Sequence, residues 1–344
     1  MISRNYLPIY LVQFLKKGLL ARALTRRYVF GQVYAICFEF TTRCNLQCKM
    51  CSHTYDKHLQ MADLDFTLFK KIIEDVKKLD NKNISFVATG LGEPLLYKNI
   101  IEAINYVKNE ISYAYFNVIT NGLLLDRNLA QSIIGVKTDE LTISLNAPNK
   151  NIYKQMMGID RYDQVVGNII KFLELRKKLG SQKPKIAIQI METDETQSEI
   201  NSFYHFWKRY LSHYDKVFTA NITSMAGAVN IDDCLNVSGK NPSRYPCCQC
   251  WTCIAIRLTG EVYPCCIGFN LTGGKNDILL GNINHDSLED IYFSSNSKIK
   301  IIRTDHLMDD YNNLPTCKKC DNYSLSPNAW FKNRFLPSVS KKWI

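Results

Sequence analysis

Between residues 33 and 222 the chain alternates six short runs of β-branched and aromatic residues with helical patterns. The runs Val33–Phe40, Ile84–Thr89, Ala114–Thr120, Glu140–Leu145, Lys185–Met191 and Val217–Ile222 read as strands. The stretches Thr67–Leu79, Asn99–Glu110, Asp126–Ile134, Tyr162–Leu179 and Ser198–His213 between them read as helices. A strand joined to the next by a crossover helix pairs with it in parallel. The alternation therefore predicts an α/β fold built on one parallel sheet. In such folds the reactive groups sit at the carboxyl ends of the strands. Any functional motif has to meet that placement.

After about Ile231 the rhythm breaks. Residues 232–275 are rich in Cys, Gly, Asn and Pro, with hairpin-like strands around Ile254–Leu258 and Glu261–Cys265 turned at Thr259-Gly260. A unit this small needs a metal or similar staple to hold its core. The expected organisation is a main domain over 32–230 and a smaller metal-stapled unit over 231–325. Ahead of them, residues 1–31 hold an amphipathic helix pattern. Tyr6, Tyr10, Phe14, Leu15, Leu19 and Ala23 recur near helical spacing, opposite Lys16, Lys17, Arg22, Arg26 and Arg27. Such a helix either packs on the main domain or lies on an anionic membrane surface. Residues 326–344 form a tail that interleaves Trp330, Phe331, Phe335 and Trp343 with Lys332, Arg334, Lys341 and Lys342. It either folds back over the main domain or meets RNA or a lipid surface.

Composition narrows the function classes. Apolar residues are 46% and charged residues 22% of the 344, which excludes a disordered or low-complexity chain. No window approaches ~18 uncharged apolar residues, so no membrane-spanning helix is expected. The net charge of +11 is spread in short pairs with no long basic run. It suits an anionic partner or a solvated basic face, and nucleic acid is not the expected partner.

The 13 cysteines are an odd number, and no secretory signal precedes them. The expected location is cytoplasmic, where thiols stay reduced and serve as metal ligands or redox groups. They cluster at 37–51, 247–266 and 317–320. Directly after the first predicted strand comes Cys44-x3-Cys48-x2-Cys51. Three thiolates on a tight loop can each reach a different iron of one 4Fe–4S cube, leaving the fourth iron open to a small-molecule chelator. A zinc loop is the bland alternative. The second strand ends in Gly90-Leu91-Gly92-Glu93-Pro94, where glycine lets a ligand approach the backbone and Glu93 can neutralise an ammonium. Alone, that segment equally suits a turn. The third ends in Thr120-Asn121-Gly122 and the fourth in Ser144-Leu145-Asn146. These polar side chains can hydrogen-bond a ligand or cap a helix.

Four motifs in order at four successive strand ends resemble the radical S-adenosylmethionine (SAM) superfamily. Three positions depart from its usual pattern: Met50 replaces an aromatic residue, Leu91 separates the two glycines, and Asn146 replaces an aspartate. The resemblance implies a partial (β/α)6 barrel over about residues 35–222. It implies a 4Fe–4S cluster on Cys44, Cys48 and Cys51, whose open iron binds the amino and carboxylate groups of SAM. It implies SAM contacts from Met50, Gly90, Gly92, Glu93, Asn121, Ser144 and Asn146. One-electron cleavage of SAM would then give a 5′-deoxyadenosyl radical that abstracts a substrate hydrogen, fed by a donor such as flavodoxin or ferredoxin.

The C-terminal cysteines resemble the SPASM/Twitch extension of that superfamily. The order is Cys247, Trp251, Gly260-x4-Cys265, Gly281-Asn282-Ile283, Ser287-Leu288-Glu289-Asp290-Ile291 and Cys317-x2-Cys320. The resemblance implies Cys247, Cys265, Cys317 and Cys320 as ligands of an auxiliary 4Fe–4S cluster. No cysteine follows Cys320, so one auxiliary cluster is expected, as in Twitch-like variants. Cys248, Cys250, Cys253 and Cys266 lie close by, and Cys250 could replace Cys247 or Cys266 replace Cys265. A four-thiolate zinc knuckle stays open as an alternative. Cys37 and Cys234 read as bystanders, Cys37 as a small buried side chain within the first strand.

The implied activity is an oxidoreductase or maturase acting on a sugar- or aminocyclitol-type small molecule or on a peptide. About thirty residues precede the first strand, against ~80 for a leader-recognition domain, which favours a small molecule or a peptide presented by a separate protein. Radical SAM modification of RNA or lipid, and a non-catalytic metal-stabilised scaffold, are the competing classes. No general acid or base stands out; His53, Tyr115 and Tyr263 are undecided.

Overall fold

The computed structural model describes residues 35–79, 83–230, 247, 249–271, 277–294 and 297–321. The helical pattern over 1–31, the tail over 326–344, Cys234 and Cys248 lie outside the described residues.

Six parallel strands form the main sheet: β1 (Ala35–Glu39), β2 (Ser85–Thr89), β3 (Tyr115–Thr120), β4 (Glu140–Asn146), β5 (Lys185–Glu192) and β6 (Lys216–Asn221). They lie in sequential order, as right for a partial barrel wound by crossover helices. The helices between them are α1 (Phe66–Lys77), α2 (Ile100–Glu110), α3 (Arg127–Gly135), α4 (Lys150–Met157), α5 (Tyr162–Lys178) and α6 (Ile200–Lys208). Helix α1 shows why these segments fold as they do. Asp65 caps it by accepting from the Leu68 N–H at 2.9 Å, and Phe69, Ile72, Ile73 and Val76 form one buried face. Helix α4 was not anticipated. It is one short, mostly polar stretch that buries Tyr153, Met156 and Met157, capped by Asn149 and stopped at Gly158 in the left-handed region.

The strand run does not stop at β1. After it in the same sheet come β7 (Cys253–Ile256), β8 (Glu261–Tyr263) and β9 (Gly281–Asn282). β7 pairs with β1 in parallel, with Cys37 opposite Ala255, and β8 returns antiparallel as the expected hairpin. All four residues of β7 are buried, as a strand covered on both faces requires. The C-terminal unit is thus continuous with the barrel sheet. Its remaining helices are α7 (Gln249–Thr252), α8 (Leu288–Phe293), α9 (Lys298–Met308) and α10 (Pro315–Lys319). Two side chains of α1 clamp this unit from the barrel side. Asp75 accepts from the Leu288 N–H at 3.2 Å, and Lys71 donates to the Ile283 carbonyl at 2.5 Å. Among the described residues no helix is long and apolar enough to cross a membrane.

Candidate functional site

Cys44, Cys48 and Cys51 lie on the loop that leaves the carboxyl end of β1. The loop is built to hold one shape. Thr41 and Thr42 are buried, and the Thr42 hydroxyl donates to the Gln60 carbonyl at 2.6 Å while accepting from the Ala62 N–H at 2.8 Å. Within the loop, the Cys51 N–H donates to the Cys48 carbonyl and the Thr54 hydroxyl to the same oxygen. The His53 ring Nε2–H donates to the Thr42 carbonyl at 2.9 Å, so His53 is a brace of the loop. The Lys49 N–H donates to the Met156 carbonyl at the end of α4. Met50 is buried in the core beside the loop.

The glycine motif meets this loop at close range. Gly90 sits at φ +125°, with room for no side chain beside Glu39. Gly92 lies against the Thr41 and Arg43 carbonyls, and the next N–H, that of Glu93, donates to the Arg43 carbonyl at 2.8 Å. The Glu93 carboxylate is buried at 3% exposure. It accepts from the Thr120 hydroxyl at 2.7 Å, the Asn121 N–H at 2.8 Å and the Leu95 N–H at 3.1 Å. These bonds take three of the roughly four acceptor positions of a carboxylate, so Glu93 ties the end of β2 to the end of β3. Burial raises its pKa above the usual carboxylate range, and the three donors oppose that shift. Asn121 carries the link onward. Its amide donates to the Asn45 side chain at 2.7 Å, next to Cys44, and its oxygen accepts from the Leu123 N–H.

Ser144 and Asn146 flank a register shift between β4 and β5. Asn146 adopts φ +64°, a conformation asparagine tolerates better than most residues. Its amide oxygen accepts from the Gln189 side chain at 3.0 Å. Gln189 was missed by sequence reasoning; the signal was one amide inside the apolar run of β5. Tyr115 is at the opposite, amino end of β3, where its hydroxyl donates to Glu140 at 2.9 Å. Tyr263 is buried in β8, with its pKa pushed up to about 12 by burial. Neither side chain joins the loop.

The electrostatics of the three thiols suit a cationic core. Burial pushes Cys44 up to about 11 and pushes Cys48 and Cys51 up as well. Alone they stay protonated; a bound metal core turns them into thiolates. Their sulfurs are not all within 4.8 Å of one another, as ligands of a single ion would be, so their spread suits a larger cluster. Beside Cys48, the fully buried Tyr153 hydroxyl has no hydrogen-bond partner in the chain, and a cluster sulfide there would offer one.

A thiol-lined cavity lies in the C-terminal unit. It is lined by Cys247, Cys250, Cys265, Cys317 and Cys320, with His306 at its wall. Cys265 faces this cavity and its neighbour Cys266 does not. Again no three of these sulfurs close to single-ion range. Buried Arg303 and Tyr292 pin the backbone beneath it: Arg303 Nε donates to the Cys250 carbonyl at 2.8 Å, and the Tyr292 hydroxyl donates to the same oxygen at 3.1 Å. A buried guanidinium here offsets the negative charge that thiolates bring. Cys317 and Cys320 are held by α10, whose Thr316 N–H and hydroxyl both donate to Asp277. The two thiol sites are mechanically joined, because the Ser52 hydroxyl, one residue past Cys51, donates to the Asn270 side-chain oxygen in the short 3-10 helix Cys266–Asn270.

Comparison with known proteins decides the family. The Radical SAM superfamily model matches residues 38–200, and the model of the SPASM iron–sulfur cluster-binding domain matches residues 247–321. The chain is a radical SAM protein with a SPASM domain. As such it carries a SAM-binding 4Fe–4S centre and auxiliary iron–sulfur binding. The chain is 26% identical over 164 residues to a tungsten-containing aldehyde ferredoxin oxidoreductase cofactor-modifying protein of Pyrococcus furiosus, covering 47% of this chain and 44% of that protein. The alignments to the first curated relatives thus span less than half of those proteins' lengths. A longer match, 22% identical over 290 residues, covers 83% of this chain and 92% of an S-adenosyl-L-methionine-dependent 2-deoxy-scyllo-inosamine dehydrogenase of Niallia circulans. Among solved structures, the fold resembles BtrN in complex with AdoMet and 2-DOIA, with a TM-score of 0.57 and 19% identity over 85% of this chain and 94% of that one. It also resembles Streptococcus suis SuiB bound to the precursor peptide SuiA, with a TM-score of 0.62 and 14% identity over 92% of this chain and 75% of that one.

Proposed function

We propose that this radical SAM protein dehydrogenates a hydroxylated, sugar- or aminocyclitol-like small molecule, with Cys44, Cys48 and Cys51 as ligands of the SAM-binding cube and Cys247, Cys265, Cys317 and Cys320 as ligands of one auxiliary, electron-accepting cluster. The observation that carries this reading is the alignment with the inosamine dehydrogenase, which runs through nearly the whole of that enzyme and covers 83% of this chain. When bound, the cube and SAM supply a 5′-deoxyadenosyl radical, able to take hydrogen from an unactivated C–H bond.

The chain's own residues do the positioning. Thr41, Thr42 and His53 fix the cysteine loop, and Asn121 holds it through Asn45. Gly90 and Gly92 let the end of β2 pack directly against Glu39 and the Thr41 and Arg43 carbonyls, which holds that strand end beside the cysteine loop for the SAM amino group, with buried Glu93 behind it as the anionic partner. Ser144 and Asn146, at the end of β4, supply hydrogen bonds for the ribose or carboxylate, and Gln189 orients Asn146. Met50 packs the apolar side of the cofactor. An external one-electron donor of the flavodoxin or ferredoxin class completes the system. Contact with a membrane surface would fall to residues 1–31.

The test is anaerobic reconstitution with iron and sulfide, then incubation with SAM, a reductant and a panel of aminocyclitols. The expected result is 5′-deoxyadenosine formed together with a ketone product. Absence of 5′-deoxyadenosine under every condition sinks the enzymatic reading. A second reading is peptide maturation, favoured by the similarity to SuiB along 92% of this chain. A new crosslink or mass loss in a supplied peptide, with aminocyclitols untouched, would select it.

A further inference from the structure

Among the described residues, three cysteines belong to neither thiol site. Cys37 lies in the middle of β1, Cys253 opens β7, and Cys266 opens the short 3-10 helix that follows Cys265. The sequence gives no hint that they meet, since Cys37 and Cys253 are 216 residues apart. The parallel pairing of β1 with β7 brings them together, with Ala35 opposite Cys253 and Cys37 opposite Ala255. The sulfurs of all three lie within 4.8 Å of one another, and those of Cys37 and Cys253 are 3.8 Å apart. Cys37 and Cys253 are each 5% exposed, and Cys266 is partly exposed.

These distances identify the size of guest. Zinc–thiolate bonds of about 2.3 Å in a tetrahedron put neighbouring sulfurs about 3.8 Å apart. Among the described residues, this is the set of three metal-ligating side chains whose ligand atoms all lie within 4.8 Å of one another, with the Cys37–Cys253 pair at 3.8 Å. The sulfurs of the two thiol sites assigned above to clusters do not close to 4.8 Å, which separates a single-ion site from a cluster site within one chain. We propose that Cys37, Cys253 and Cys266 bind one thiophilic divalent d10 cation, Zn2+, as a third metal site distinct from both iron–sulfur centres. Binding releases the thiol protons to solvent and changes no oxidation state. Water on the partly exposed side at Cys266 completes four-coordination. Zinc suits the charge better than a monovalent ion: against three thiolates, two of them buried, it leaves one net negative charge rather than two.

The site would act as a staple. β1 carries the loop with Cys44, Cys48 and Cys51, whereas Cys253 and Cys266 belong to the unit that frames the auxiliary cavity. One ion would lock the strand under the first centre to the scaffold of the second.

The test uses the full chain reconstituted anaerobically with both clusters, stripped with a mild chelator and then titrated with Zn2+. Metal analysis should find one zinc per chain with the iron content unchanged. X-ray absorption at the zinc edge should give three sulfur neighbours at about 2.3 Å and one light atom. Cys37→Ala and Cys253→Ala should lose the zinc while keeping the iron and the cluster spectra. Stripping zinc should lower the melting temperature by several degrees. Zinc bound at less than a small fraction of one equivalent, a nitrogen- and oxygen-dominated zinc shell, zinc retained in Cys37→Ala, or iron lost in step with zinc gained would each overturn the proposal. If the variants fail to fold, the absorption spectrum of the wild-type protein still decides, and the iron count keeps the result separate from the fate of the two clusters.

Discussion

An alanine at position 92 would put its Cβ 2.2 Å from the Thr41 carbonyl oxygen and 2.6 Å from that of Arg43. Both obstacles are backbone atoms, so no side chain can swing aside. Reaching even 3.0 Å from Thr41 requires a shift of at least 0.8 Å in the strand-to-loop junction that carries Cys44. Overpacking of this kind costs about 1–3 kcal/mol. The 2.8 Å bond from the Glu93 N–H to the Arg43 carbonyl crosses the same junction, and its loss adds about 1 kcal/mol. Gly92→Ala should therefore lose about 2–4 kcal/mol, a large share of the roughly 5–15 kcal/mol that keeps a domain folded. The readouts are the urea midpoint of the reconstituted protein under argon and its iron content. The midpoint should fall by about 1 M, and less iron should be retained. Gly167 supplies the control: it lies within α5, and an added Cβ meets nothing within 4 Å. Gly167→Ala should leave iron unchanged and raise stability by up to about 1 kcal/mol. If Gly92→Ala matched the wild type in midpoint and iron, the claim that the glycine motif is shaped by the cysteine loop would be wrong.

Asn121→Ala removes the 2.7 Å bond to Asn45 and should speed chelator-driven iron release several-fold, with loss of about 1–2 kcal/mol; unchanged release would deny it a role in holding the loop. Arg176→Met strands the buried Asp215 carboxylate, which Arg176 now grips with two bonds of 2.6–2.7 Å at the amino end of β5. It should cost about 3–5 kcal/mol and lower the melting temperature by on the order of 10 °C, while the cluster spectra of the folded fraction stay as in the wild type. Glu93→Gln tests a pH effect. Burial raises the Glu93 pKa above its unfolded value of about 4.3, so between those two values the native state holds more protons. Wild-type stability relative to Glu93→Gln should then fall as pH rises through that window; a difference that is flat with pH, or rises, would contradict the burial of a strained charge.

The barrel was legible because its signals are local. Each of β1 to β6 is an apolar run, and helices such as α1 and α3 open at aspartate caps, Asp65 and Asp126, just before an apolar stripe. The cysteine loop and the glycine motif were legible for the same reason: spacing and position at a strand end are written in a few consecutive residues. What escaped depends on distant pairing. Nothing near Cys253 says that it will lie beside Ala35: the local residues show β7 as one arm of a hairpin with β8, and its parallel pairing with β1 joins distant segments. Cys37 was expected to be an inert buried side chain; it is buried, but it faces two other thiols. The Glu39–Arg257 ion pair, buried at the same join, was likewise invisible, although a glutamate closing the apolar run of β1 was a hint. Helix α9 was missed because its apolar residues are not gathered on one clear stripe; it is held through Arg303 and His306 at the auxiliary cavity.

The account rests on a cluster whose fourth iron has no ligand from the chain. Electron–nuclear double resonance on the reduced protein with SAM labelled by 15N and 17O at its amino and carboxylate groups addresses that directly. Couplings to both labels, lost when Cys48 is replaced by alanine, are the predicted result. A reduced cluster whose spectrum ignores SAM, with four thiolates already around it, would contradict the account.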